Sequence, residues 1–329
     1  MVPMPKVTVV IPNYNHARFL DQRIQSVLNQ THSNFELIYL DDASTDNSNE
    51  VFSQYADDLR VRPIINQMNS GSPFPQWNKG VREAKGEYIW IAEADDYADD
   101  TLLEKLVLLL DQNPNVGIAY CSSWSVDETG EKHGCSADWL THLDPERWRT
   151  DFVSDGRDEC RRFMVLANTI PNASAVVFRR DVYLAMGGAD EDMRYGGDWL
   201  LWAKMLFHAD IAYIAQPMNY FRFHAGSVGS KSLNNGINAE ESYRIAEYIL
   251  SQGEVSKETM EKARNYLADR WVPSLVSKHR SIPRERNAQI YRIATRLDPD
   301  LKPRVAKKIA ARAMNKISRI VGLGTPSSQ

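Results

Sequence analysis

The run Val7-Thr8-Val9-Val10-Ile11-Pro12-Asn13-Tyr14-Asn15 decides the fold. Its β-branched first half reads as a strand buried on both faces, as expected in a parallel sheet. Strands and helices alternate from there outward. Asn15 is placed to cap a helix whose apolar residues Phe19, Leu20, Ile24, Val27 and Leu28 recur at helical spacing. Phe35–Leu40 reads as a second strand, and Ser44-Thr45-Asp46 supplies cap residues for another helix. Val61–Ile65 reads as a short strand, and Pro63 puts it at an edge. A helix over 75–85, a strand at Tyr88–Ala92, a helix with core residues Leu102, Leu103, Leu106, Leu109 and Leu110, and a strand at Val116–Cys121 follow.

This alternation predicts an α/β fold with a doubly wound, mostly parallel sheet flanked by helices. Residues 122–170 lose the pattern and are rich in Trp, Asp and Arg, as in a long loop excursion. Ala173–Phe178 resumes as a strand and Trp199–Phe207 as a helix. Beyond 238 only helices are expected, at 238–251, 256–278, 284–297 and 302–320, with Gly322–Gln329 as an unstructured tail.

Composition narrows the function. The chain has 329 residues, 43% hydrophobic and 25% charged, as in an ordinary globular enzyme. A net charge of −4 and a pI near 6.0 argue against nucleic acid as a partner, which would require a basic surface. The three cysteines, Cys121, Cys135 and Cys160, show no paired spacing and read as reduced thiols. Neither a leader-type apolar core nor an apolar run of about 18 residues is present, so a cytoplasmic location is expected.

Ligands of a doubly wound sheet bind beyond the carboxyl ends of its strands. Three strand ends deliver polar residues there: Pro12-Asn13-Tyr14-Asn15, Asp41-Asp42-Ala43-Ser44-Thr45-Asp46 and Glu93-Ala94-Asp95-Asp96. Carboxylates gathered at one sheet edge repel each other unless a positive group lies between them. A divalent cation such as Mg²⁺ or Mn²⁺ with a diphosphate would supply it. Alone, Asp95-Asp96 is a weak signal, because Asp also favours turns and caps; two acidic strand ends in one sheet strengthen it.

Taken in order, these motifs resemble the family 2 inverting glycosyltransferases of the GT-A fold, of the bacterial polysaccharide type. The resemblance continues through Asn69-Ser70-Gly71, Trp77-Asn78-Lys79-Gly80 and Lys85-Gly86-Glu87-Tyr88, and covers residues 5–230. It implies a catalytic domain over 1–235, with a nucleotide-sugar half at 1–120 and an acceptor half at 121–235, then a helical extension over 236–329. It further implies that Pro12 and Tyr14 contact the nucleoside of a nucleotide diphosphate sugar, with a UDP-linked donor favoured. Asp42 would accept a hydrogen bond from the base, Asn78 would lie near the phosphates, Asp95 would face the ribose or sugar, and Asp96 would ligate Mn²⁺ or Mg²⁺. One departure is the segment Ser72-Pro73-Phe74-Pro75-Gln76, which stands where smaller and more basic residues are expected.

Inverting transfer needs a base to take the proton of the attacking acceptor hydroxyl. The resemblance points to Asp198, in Tyr195-Gly196-Gly197-Asp198-Trp199; a plain helix cap is the competing reading, and Asp190, Glu191 and Asp192 are rival acids. His224, following Tyr220-Phe221-Arg222-Phe223, matches a histidine that reaches the metal or diphosphate in related enzymes, or is structural. Trp202 is expected in the core, while Trp199 stays open between core and a platform for an acceptor glycan. Lys302, Arg304, Lys307, Lys308, Arg312, Lys316 and Arg319 lie along a helix with Val305, Ile309, Ala313, Ile317 and Ile320 on one face. That pattern suits peripheral contact with an anionic membrane carrying a lipid-linked acceptor, or a solvated helix packed on its own domain.

Other readings fare worse. A dinucleotide-binding oxidoreductase needs a glycine-rich turn after the first strand, and a nucleotidyltransferase a Gly- and Lys-rich phosphate loop. A catalytically inactive nucleotide- or glycan-binding module stays open, although Asp42, Asp96 and Asp198 are all present.

Overall fold

The computed structural model describes residues 4–224, 235–276 and 282–320, and the expected tail Gly322–Gln329 lies outside them. The chain divides into two compact units, residues 1–227 and 228–329.

The first unit is a ten-stranded sheet whose main order is β3-β2-β1-β4-β9-β6-β10-β5. Its strands are β1 (Val7–Asn13), β2 (Phe35–Asp41), β3 (Val61–Ile65), β4 (Tyr88–Ile91), β5 (Tyr97–Ala98), β6 (Val116–Val126), β7 (Lys132–Cys135), β8 (Phe152–Ser154), β9 (Val176–Arg179) and β10 (Asp210–Arg222). The helices are α1 (Ala17–Leu28), α2 (Ser48–Ser53), α3 (Pro73–Glu83), α4 (Leu102–Gln112), α5 (Ser136–Leu140), α6 (Gly156–Glu159), α7 (Arg180–Ala185) and α8 (Gly197–Leu206).

All seven residues of β1 are buried, as its β-branched run predicts. The strand pairs in parallel with β2 on one side and β4 on the other. The chain therefore winds outward through β2 and β3, then returns to the far side of β1, opening a crevice at the carboxyl ends of β1, β2 and β4. Val9 and Ile11 pack with Leu20, Ile24 and Val27 of α1, while Val10 meets α3 at Gly80 on the opposite face. Beyond β4 the sheet is mixed: β9 is antiparallel to both β4 and β6, and β6 and β10 are parallel. Pro63 sits in β3 at the sheet edge, where its missing N–H costs no ladder bond.

One cap expectation needs correction. His16, not Asn15, is the N-cap of α1. Asn15 is left-handed (φ 59°), and its side-chain carbonyl accepts the backbone N–H groups of Thr45 and Asp46. Asp46 in turn accepts the N–H of Ala17 at 3.0 Å, so the loop after β2 caps the helix after β1.

Gly86 precedes β4 and touches the β1 backbone; a Cβ there would lie 2.6 Å from the Val7 carbonyl carbon. Gly86→Ala must push β4 away from β1, and should cost about 1–3 kcal/mol of stability. Chemical denaturation measures this, and an unchanged midpoint would show that the pair yields freely.

The second unit is helical: α9 (Ile237–Ser251), α10 (Lys257–Val276), α11 (Arg284–Leu297) and α12 (Leu301–Ile320). Its core is built from Tyr243, Leu267, Trp271, Ile290 and Ile293, with Val305 of α12 packed against it. Arg304 pairs with Asp298 and Glu261, and Lys308 with Asp269, so two of the expected basic residues are neutralised within the unit. Lys302, Lys307 and Arg312 are exposed, while the side chains of Lys316, Ile317, Arg319 and Ile320 lie outside the described residues. No helix among the described residues is long and apolar enough to cross a membrane.

Candidate active site

The crevice at the switch point collects the polar strand ends. Tyr14, just past β1, is 44% exposed, whereas Pro12 is buried within the strand. Asp42, just past β2, is only 4% exposed and fully engaged. Its Oδ1 accepts from Gln76 Nε2 at 2.7 Å and Asn66 Nδ2 at 2.8 Å, and its Oδ2 accepts from Ser70 N and Oγ. The carboxylate thus holds segment 66–76 against β2. Asn78 is engaged in the same way. Its Nδ2 donates to Ala189 O at 2.9 Å and Glu191 Oε1 at 2.8 Å, and its Oδ1 accepts from Tyr183 Oη and Ala189 N. An amide engaged on both its oxygen and its nitrogen has little left for a phosphate.

The two aspartates after β4 diverge. Asp96 is 2% exposed; its Oδ1 accepts the Arg222 N–H at 2.8 Å and its Oδ2 accepts Asn172 Nδ2 at 3.1 Å. Burial, and then the charge of Asp95 beside it, push its pKa up to about 6. Asp95 instead accepts from His224 Nε2 at 2.9 Å. Burial works against its ionisation, but the hydrogen bond from His224 and the nearby His16 more than offset this, leaving its pKa below the usual carboxylate range. Glu93 lies beside them, raised to about 8 by burial and then by the charge of Asp95, and it accepts Trp77 Nε1–H at 2.8 Å.

One group of side chains among the described residues could share a cation: His16, Asp95 and His224, with ligand atoms all within 4.8 Å of one another. Two imidazoles and a carboxylate form a donor set that suits a first-row divalent ion such as Mn²⁺ better than Mg²⁺, which favours an all-oxygen shell. The residues present therefore fit a metal. They do so through Asp95, where the sequence expectation placed Asp96. Asp96 stands outside the group because the turn after β4 points it inward at the β10 backbone. His16 was not foreseen. It precedes α1, and its partners come from two distant strand ends, so no local spacing could announce it.

Asp198 lies in the first turn of α8, whose N-cap is Gly196 and whose end carries no side-chain cap bond. Its Oδ2 accepts Asn168 Nδ2 at 3.0 Å. The helix amide dipoles favour its negative form. Trp199, open in the sequence between core and acceptor platform, is 3% exposed and donates Nε1–H to Met164 O at 2.9 Å, which places it in the core. Trp202 is core, as expected. The aromatic surface near His224 is Trp139 with Phe221 and Phe223, whose ring centroids lie 4.7–6.0 Å apart.

Residues 8–167 match the model of the family described as Glycosyl transferase family 2. Glycosyltransferase GlyG of Streptococcus pneumoniae is 40% identical over 30% of this chain and 33% of its own. YibD of Escherichia coli, an uncharacterised glycosyltransferase, is 28% identical over 70% and 66%. The alignments with the first curated relatives span about a third of those proteins. Among solved structures, Staphylococcus aureus TarS 1-349 with UDP-GlcNAc superposes with a TM-score of 0.67 at 19% identity, over 96% of this chain and 92% of that one. The sheet order, the acidic strand ends and these likenesses agree: residues 8–167 form a region that matches glycosyl transferase family 2, and the chain has the GT-A fold.

Proposed function

We propose that this glycosyltransferase moves a sugar, with inversion, from a nucleotide diphosphate sugar to an acceptor hydroxyl, and that a divalent cation at His16, Asp95 and His224 serves the reaction. The observation that carries the reading is that shared donor group, placed at the carboxyl ends of β4 and β10. When bound, the ion would offset the charge that builds on the departing diphosphate. A Mn²⁺ complex in one structural relative, the mannosyltransferase PcManGT of Pyrobaculum calidifontis with GDP-Man, supports the type of cofactor. That relative reaches a TM-score of 0.56 at 17% identity, over 95% of this chain and 81% of its own.

The chain's own residues then divide the work. Tyr14 stacks on the base beside Pro12. Asp42 acts through the Ser70–Gln76 segment it holds, which closes over the nucleoside. Asp198 takes the proton from the acceptor hydroxyl as its oxygen attacks the anomeric carbon, and Asn168 fixes the carboxylate for that approach. A UDP-linked donor is favoured, in keeping with the UDP and UDP-GlcNAc complexes of TarS. The acceptor is a glycan, whose sugar faces suit the half-exposed rings of Trp139 and Phe223. Product NMR from a transfer assay tests the stereochemistry: an anomeric configuration opposite to the donor's is expected, and retention would overturn the assignment of Asp198 as base.

For a membrane-borne acceptor we infer a contact surface that, among the described side chains of α12, comprises Lys302, Lys307 and Arg312. Each exposed cation adds about 1 kcal/mol of attraction to an anionic surface. Co-sedimentation with phosphatidylserine vesicles should therefore be salt-sensitive and should fall on reversing these three charges. Equal partitioning of both forms removes the idea.

A further inference from the structure

The segment Ser72-Pro73-Phe74-Pro75-Gln76, which departs from the expected family pattern, opens α3, and the first two turns of this helix touch Asp42, Glu93, the loop before α8 and Gly197. Gln76 Nε2 donates to Asp42 on the nucleotide side at 2.7 Å. Trp77 Nε1 donates to Glu93, two residues before Asp95, at 2.8 Å. Asn78 grips the loop that leads to α8 through Ala189 and Glu191. Phe74, only 4% exposed, lies against Gly197, the residue just before Asp198. A Cβ on Gly197 would be 2.5 Å from Phe74 Cε2. Gly197 has no need of glycine for its backbone, since it is the first residue of an α-helix and is not among the positive-φ glycines. Its missing side chain makes room for the Phe74 ring. That ring is fixed in turn by an edge contact with Trp77 at 5.3 Å, and Trp77 lies 6.2 Å from Trp202 inside α8.

We propose that Phe74 is a positioning residue for the reaction: its ring, seated on Gly197, sets where the first turn of α8 presents Asp198, and α3 ties that placement to the nucleotide-side carboxylate Asp42. The inference rests on Asp198 acting as the base. Phe74 belongs to the Ser70–Gln76 segment, but its buried ring is seated on Gly197 and not on the donor in this scheme, so its loss acts on the chemical step more than on donor affinity. Misplacing a catalytic group by about 1 Å can cost on the order of 10²-fold in rate.

The test compares Phe74→Leu, Gly197→Ala and the double variant with the wild-type chain. Two readouts are taken: amide hydrogen exchange over 198–202, and UDP release from UDP-GlcNAc with Mn²⁺. Gly197→Ala should speed exchange in this turn and lower kcat by about tenfold or more, with donor KM nearly unchanged. The smaller, flexible Leu side chain in the double variant should restore both, because the two changes act on one contact. A Gly197→Ala chain that exchanges and turns over like the wild type, a double variant as impaired as the single one, or a loss confined to donor KM would each overturn the proposal. Exchange reads the Phe74–Gly197 contact without any substrate, so an inert wild-type chain would count against the donor reading while exchange still decides this one.

Discussion

Asp198→Asn is expected to lower transfer by about 10³-fold, within the 10²–10⁴ range typical of a lost general base. Asparagine keeps the size of the side chain and can still meet Asn168 after an amide flip, so the first turn of α8 should hold its shape. What disappears is the capacity to take a proton. With Asp198 acting on the acceptor, as proposed, donor binding should change little, and the loss should appear in kcat and kcat/KM alike. Isothermal titration with the donor nucleotide, paired with transfer kinetics, separates the two. Full turnover in this variant would pass the role to another acid, with Asp190, Glu191 and Asp192 next in line.

The second large effect concerns the aspartate pair after β4, where two substitutions should fail for different reasons. Asp95→Asn removes the carboxylate that stands with His16 and His224, so apparent Mn²⁺ affinity should fall and activity should drop by at least about 10²-fold. Its folding stability should change little, because the Asp95 side chain remains 22% exposed. Asp96→Asn does the reverse. It replaces the buried acceptor of the Arg222 N–H, and an ill-matched buried partner costs about 1–3 kcal/mol, so the melting temperature should fall while Mn²⁺ affinity is largely kept. Equilibrium dialysis with Mn²⁺ and thermal melts on both variants check this. If Mn²⁺ affinity collapses in Asp96→Asn and survives in Asp95→Asn, the roles are the other way round.

The fold was legible because its signals are local. An unbroken β-branched run reads as a doubly buried strand, and α1 and α4 announce themselves by apolar residues at helical spacing. The helical C-terminal region read out for the same reason. The site was legible only as a neighbourhood: the polar strand ends were identifiable, but which atoms meet there depends on turns that the pattern does not encode. Adjacent Asp95 and Asp96 look alike in sequence, and only the turn after β4 sends one inward to β10. Asn15 had the residue type of a cap, yet a left-handed backbone turned its carbonyl toward Thr45 and Asp46. Trp199 was ambiguous because eight of the ten residues of α8 are buried, leaving no polar face to show which side meets solvent. Nothing in the sequence shows why residue 197 is a glycine; in the fold its space is filled by Phe74.

The central claim is that a nucleotide diphosphate sugar and a divalent cation bind together over Asp95. A thermal-shift panel of UDP-, dTDP- and GDP-sugars, each with and without Mn²⁺, tests it most directly. A ligand at about 100 times its Kd stabilises the fold it binds by about 2.7 kcal/mol, which moves the melting temperature by several degrees. The predicted result is a shift with one class of nucleotide sugar, UDP-linked first, that requires Mn²⁺ and is lost in Asp95→Asn. Stabilisation by none of the donors, or a donor shift indifferent to both Mn²⁺ and Asp95, would contradict it.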